Sequence, residues 1–122
     1  MARVLVADDD DDIRFLIELR LIRDGHDVTT VGNGRLAWEA LQGGGFDLAI
    51  LDNTMPELSG IEVTALCRAE SAGLSGLRIL MVTARVQDQD AQEGLDTGVD
   101  HYMTKPFSLA DLSQQVATLV AR

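Results

Sequence analysis

Val4-Leu5-Val6-Ala7-Asp8-Asp9-Asp10-Asp11-Asp12 is an aliphatic run that ends in five consecutive aspartates. Four apolar residues in a row, bounded by charge, read as a short strand buried on both faces. Carboxylates a few Å apart repel by roughly 1 to 4 kcal/mol per pair at intermediate dielectric. A chain that gathers them at a strand end relieves that repulsion with a metal, a basic side chain or a helix N-terminus.

The strand-like pattern recurs. Residues 3–7, 28–31, 48–51, 78–82 and 99–103 are short aliphatic or β-branched runs, and helical patterns lie between them. Ile13, Leu16, Ile17 and Leu21 form an inward stripe that ends near Gly25. A second helix is predicted after Asn33-Gly34, with Ala37 and Leu41 facing in and Gly43-Gly44-Gly45 as its stop. A third follows Ser59-Gly60 and frays through Ser71-Ala72-Gly73, and a fourth runs through residues 90–96 to a capping Gly98. The last starts at Ser108, with Asp111 three residues on as a variant capping box and Leu109, Leu112, Val116 and Leu119 on one face. Strands alternating with helices are the signature of βαβ units, hence an α/β fold of five (βα) units around a doubly wound parallel sheet.

With 122 residues, 46% of them hydrophobic, the chain has the size of one domain, expected to span residues 1–122. No apolar stretch approaches 18 residues and no secretory leader precedes the first strand, so no membrane association is expected and the cytoplasm is the expected location. The one cysteine, Cys67, cannot form an internal disulfide and falls on an apolar helical stripe, as a core thiol does. A formal net charge of −10 argues against direct nucleic-acid binding. Lys105 is the only lysine, and it precedes Pro106-Phe107.

In an open parallel sheet the ligand site lies beyond the carboxyl ends of the strands. Those ends carry Asp8 and Asp9 after strand one, Asp52 after strand three, Thr83 after strand four, and Thr104 and Lys105 after strand five. Three carboxylates at one edge suit a hard cation such as Mg²⁺, which takes oxygen ligands and keeps several waters. With a cation present, Asp52 can attack phosphorus, as carboxylates do when they form aspartyl-phosphates. The transferred group then needs its oxygens neutralised, and Lys105, Thr83 and loop amides can do that.

Four separated motifs carry a resemblance: Val4 to Asp10, then Ile50-Leu51-Asp52-Asn53-Thr54-Met55-Pro56 with Gly60, then Met81-Val82-Thr83-Ala84, then Tyr102-Met103-Thr104-Lys105-Pro106-Phe107. In order and spacing, over nearly the whole chain, this resembles the receiver domain of bacterial two-component response regulators. The resemblance implies a flavodoxin-like sheet in strand order 2-1-3-4-5. It also implies a phosphoacceptor rather than a turnover enzyme, which catalyses only its own phosphorylation and slow dephosphorylation. Asp52 would take a phosphoryl group from a phosphohistidine on a sensor histidine kinase or a histidine phosphotransfer protein. Asp9, Asp52 and the backbone carbonyl of Thr54 would bind Mg²⁺, or Mn²⁺ in its place, with Asp8 acting through a metal-bound water. Thr83 and Lys105 would contact the phosphoryl oxygens, and a cis bond before Pro106 would aim the lysine inward. Thr83 and Tyr102 would form the switch that reports phosphorylation to a downstream output domain or protein.

The sequence also departs from that pattern. Asp11 stands where a proline is common, Ser59 where an acid is frequent, and Gln115 where regulators that dimerise through the last helix usually have arginine. Asp10 to Asp12 are expected to start the first helix, capping free amides, rather than to bind metal. Thr54 and Arg85 match positions that tune hydrolysis of the aspartyl-phosphate. Phe15 and Leu19 lie off the inward stripe, either as docking groups for a kinase helix or as scattered surface residues. His26 and His101 have no partner constellation. Two other readings share the residues: a Mg²⁺-dependent aspartyl-phosphate phosphohydrolase, which commonly has a second acid where Thr54 stands, and a receiver-like module that binds a partner without phosphorylation.

Overall fold

In the computed structural model, which describes residues 2–74, 76–84 and 98–121, five strands form one parallel sheet. They are β1 (Arg3–Ala7), β2 (Asp27–Val31), β3 (Leu48–Asp52), β4 (Arg78–Thr83) and β5 (His101–Thr104). Their spatial order is β2-β1-β3-β4-β5, as the resemblance implied. The described α-helices are α1 (Asp11–Arg23), α2 (Gly34–Gln42), α3 (Gly60–Arg68) and α4 (Leu109–Val120), with a 3₁₀ turn at Glu70–Ala72. The expected helix over residues 90–96, which Gly98 was to cap, and Arg85 lie outside the described residues; Gly98 itself has a positive φ of +115°.

The three central strands are continuous apolar runs because helices cover both faces of the sheet. Alternate residues feed two cores. Leu5, Ala7, Ala49, Leu51, Ile79 and Met81 pack with Ala37, Leu41, Val63 and Cys67 of α2 and α3. Val4, Val6, Leu48, Ile50, Leu80 and Val82 pack with Ile17, Leu21, Leu112 and Val116 of α1 and α4. The sheet switches direction at β1, which has β2 on one side and β3 on the other. The crevice beyond that point is where the fold exposes β1 and β3 carboxyl ends side by side.

Local chemistry starts each helix. Asp10 caps α1, accepting from Asp12 N at 3.0 Å and Ile13 N at 3.1 Å, and Asp11 and Asp12 occupy the first turn. Asn33 caps α2 through Leu36 N at 2.8 Å. Ser59 and Glu62 form a reciprocal capping box on α3, and Ser108 accepts from Asp111 N at 2.9 Å.

Two local expectations shift. Leu16 was expected to face in, yet it is half exposed, because Ile17 and Leu21 fix the buried direction of α1 and Leu16 lies at its margin. The fifth strand starts at His101 rather than at residue 99. There Ile79 N donates at 2.7 Å to the Asp100 carboxylate, where a strand carbonyl would otherwise extend the ladder.

Candidate functional site

Asp8 follows β1 directly and Asp52 closes β3, so the β1–β3 pairing, with Ala7 opposite Leu51, sets their carboxylates side by side. Both are almost fully buried, at 2% and 3% exposure, while Asp9 is exposed. One carboxylate oxygen from each of the three lies within 4.8 Å of the others. The cluster inferred from the sequence is therefore a geometric fact, and Asp10 to Asp12 belong to the helix start instead.

Lys105 faces the cluster. Its backbone N donates to Thr83 O at 2.7 Å, and the Lys105–Pro106 bond is cis, as expected. The ammonium Nζ lies 3.0 Å from Asp8 Oδ2 and 3.5 Å from Asp52 Oδ2. The remaining carboxylate oxygens are held by the loops. Asp8 Oδ1 accepts from Asp10 N at 2.9 Å, and Asp52 Oδ1 accepts from Thr54 N at 3.2 Å and Thr54 Oγ1 at 3.5 Å. Burial pushes the Asp52 carboxyl up to about 6, aided by the charge of Asp8; the Thr54 amide and Lys105 pull the other way. Burial alone would lower Lys105, but its hydrogen bond to Asp8 and the charges of Asp52 and Asp8 outweigh that and raise it.

Thr83 ends β4 and is buried. Tyr102 is in register with Met81, two residues before Thr83, so Tyr102 and Thr83 share the face that covers α2 and α3. Tyr102 is half-buried against that core.

The loop after Asp52 is built for close approach. Asn53 N donates to Val82 O at 3.2 Å, and its side-chain Oδ1 accepts from Ile61 N at 3.1 Å, which ties the start of α3 to the end of β3. Gly60 sits where an added Cβ would be 2.5 Å from Met81 Sδ and 2.8 Å from the backbone oxygen of Asp52. Only a residue without a side chain lets α3 come this close to the acid.

Sequence reasoning missed two residues. Arg14 donates from Nη1 to the backbone oxygen of Asp8 at 2.8 Å and from Nη2 to Asp11 at 2.5 Å, so it clamps the turn that presents the cluster. Its position one turn after Asp11 was the available signal. Arg68 donates to Gly98 O at 3.0 Å, Leu74 O at 3.2 Å and Asp100 Oδ2 at 3.0 Å, joining the end of α3 to the approach to β5. Nothing local in the sequence marks that pairing.

All the carboxylates here are oxygen donors, three acids stand against one ammonium, and the burial of Asp52 leaves its charged form under-stabilised. A hard divalent cation fits such a donor set. No described helix is long and apolar enough to cross a membrane.

The family model for the response regulator receiver domain matches residues 4–117. Among curated proteins, the transcriptional regulatory protein TcrA of Mycobacterium tuberculosis is 38% identical over 98% of this chain and 46% of its own length. The Bacillus subtilis protein YrkP, named an uncharacterized transcriptional regulatory protein, is 42% identical over 98% of this chain and 50% of its own. The chain thus spans about half the length of the curated relatives it matches. Among solved structures, the receiver domain of the Francisella response regulator 1452 has a TM-score of 0.90 at 31% identity, covering 98% of this chain and 97% of that one. The Vibrio cholerae chemotaxis protein CheY4 also reaches a TM-score of 0.90, at 32% identity and 98% coverage of both chains.

Proposed function

The chain belongs to the response regulator receiver domain family, a phosphoacceptor signalling module, and on that footing we propose that Asp52 is its phosphorylation site. The observation that supports this most is the facing pair of Asp52 and Lys105, set beside Asp8 at the carboxyl ends of β1 and β3. Residues 1–122 act as one receiver module, since a single sheet and its two cores run through all the described elements.

Asp9 and Asp52, with the Thr54 backbone carbonyl, would hold Mg²⁺ or Mn²⁺, and Asp8 would support it through a water. The bound cation supplies charge neutralisation where a second anion must enter an acidic pocket. A carboxylate oxygen of Asp52 attacks the phosphorus of a phosphohistidine. The phosphorus–nitrogen bond breaks, the imidazole nitrogen keeps the electron pair and takes up a proton, and the phosphoryl group becomes an acyl phosphate on Asp52. Lys105 turns its ammonium from the two carboxylates to a phosphoryl oxygen, and the Thr83 hydroxyl donates to another. Hydrolysis of the acyl phosphate restores Asp52, and the chain does this slowly for itself only, as a regulator and not a turnover enzyme.

The donor is a sensor histidine kinase or a histidine phosphotransfer protein. Thr83 and Tyr102, on one face of β4 and β5, pass the phosphorylated state to an output region or a separate partner protein. Relatives named as transcriptional regulatory proteins support a transcriptional output for a longer form of this chain.

Incubation with Mg²⁺ and acetyl phosphate or phosphoramidate, followed by intact-mass measurement, tests the assignment. One phosphoryl adduct is expected on the wild type and none on Asp52→Asn. An equal adduct on Asp52→Asn would place the acceptor elsewhere, and rapid release of phosphate from varied monoesters would make the chain a phosphohydrolase.

A further inference from the structure

Helix α1 is apolar on two sides. Ile17 and Leu21 enter the core, while Phe15, Leu16, Leu19 and Ile22 stand out from it at 56%, 50%, 49% and 52% exposure. The outward four lie at spacings of one, three and three residues, so they share one continuous face of the helix. Across Leu16 this face opens into a groove of about 340 Å³ between α1 and the start of α4, with apolar walls from Ile13, Leu16, Phe107 and Leu109 and with Lys105 of the acidic site at its edge. Four large apolar side chains in one stripe are more than scattered exposure accounts for.

The charges at the two ends of the stripe say what covers it. Asp12 precedes the stripe and Arg23 ends it, both exposed. Eleven residues of α-helix turn through three full revolutions with about 20° left over, so the two side chains lie on nearly the same line, about 16 Å apart along the axis. Among the described residues neither side chain has a hydrogen bond or an ion pair. Their neighbours are otherwise engaged: Asp11 with Arg14, and Arg20 with Asp24.

We propose that this face of α1 is a self-association surface, on which a second copy of the chain lays its own α1 antiparallel. A twofold axis between residues 17 and 18 sets Asp12 of each copy against Arg23 of the other and Leu16 against Leu19. Such an interface is self-complementary, as a twofold contact must be. A parallel arrangement would set like charges together at both ends. Four large apolar side chains, each about half exposed, make a patch of roughly 300 to 600 Å², a size that belongs to weak, reversible interfaces.

Sedimentation velocity on the whole chain, over roughly 10 μM to 1 mM, tests this across the Kd range such an interface would have. The wild type is expected to pass from monomer to dimer. Asp12→Arg and Arg23→Asp should each weaken the dimer at least about tenfold, since in each variant both end pairs become repulsive. An equimolar mixture of the two variants should dimerise about as well as wild type, because the mixed dimer regains an opposite-charge pair at both ends. That recovery also shows that both variants are folded. Leu19→Asn should weaken the dimer without changing the thermal unfolding midpoint. A wild type that stays monomeric throughout overturns the proposal, as does a dimer that neither charge reversal affects. So does a stripe protected only by a phosphodonor helix and never by a second copy.

Discussion

Lys105 Nζ bonds Asp8 Oδ2 at 3.0 Å across 97 residues of sequence, and through this contact the only lysine of the chain closes its acidic pocket. The pair is buried on the acid side and half-buried on the basic side, so removing the cation leaves two neighbouring carboxylates facing each other. Lys105→Met should therefore destabilise the metal-free protein by roughly 1 to 3 kcal/mol, read from urea unfolding in the presence of a chelator. Adding Mg²⁺ should recover much of that loss. A variant as stable as wild type under chelation would show that the pair is electrostatically idle.

Lys105→Arg separates charge from shape. The guanidinium keeps the positive charge but is a planar fork on a differently hydrated group. Phosphorylation at Asp52 is expected to persist, while the response of the Tyr102 face, followed by its fluorescence or ring NMR signals, is lost. A Tyr102 response to phosphorylation equal to that of the wild type would show that the compact ammonium is dispensable for the switch.

The pH dependence of stability follows from Asp52. Its carboxyl in the folded chain is pushed up to about 6, against an ordinary value of 3.8. The folded state thus binds a proton more tightly than the unfolded state between these values, so stability attributable to this group is complete below about 4 and lost as pH rises through 6. The raised Lys105 titrates far above this window and leaves it undisturbed. In chelator, Asp52→Asn should be more stable than wild type at pH 7 by on the order of 1 to 2 kcal/mol, allowing for solvent screening on the open side of the pocket, and the gap should close toward pH 4. Equal stability at pH 7, or a gap that widens in acid, would show that the buried charge is already satisfied.

Much of this was readable from the chain because its information is local. The aliphatic runs ending in Asp8, Asp52 and Thr83 each mark a strand and deliver a functional group in the same few residues, and parallel pairing then gathers the ends. Ser59 with Glu62 and Ser108 with Asp111 likewise signal their helices through neighbours in sequence. What stayed hidden depends on residues far apart. Arg68 finds Asp100 across 32 positions, and Asp100 in turn takes the Ile79 amide, so the fifth strand starts later than its apolar Val99 suggests. Leu16 has the apolar character of a core residue and only the placement of α4 shows that it borders an open groove.

Gly60 gives a steric test of how α3 is seated on the site. A Cβ there would fall 2.5 Å from Met81 Sδ and 2.8 Å from the Asp52 backbone oxygen, and the backbone contact cannot swing away. Gly60→Ala should cost roughly 1 to 3 kcal/mol in urea unfolding and slow phosphorylation by acetyl phosphate, since relief requires moving the β3 end that carries the acceptor. Wild-type stability together with a wild-type rate would mean that α3 shifts without disturbing Asp52.

The identity of the phosphorylated residue is the central claim, and reductive trapping reads it directly. After brief phosphorylation with Mg²⁺ and acetyl phosphate, borohydride converts an acyl phosphate on aspartate to homoserine, and peptide mass spectrometry locates the conversion. Homoserine at position 52 alone is predicted. Conversion at Asp8 or Asp9, or phosphorylated protein with no conversion anywhere, would contradict it.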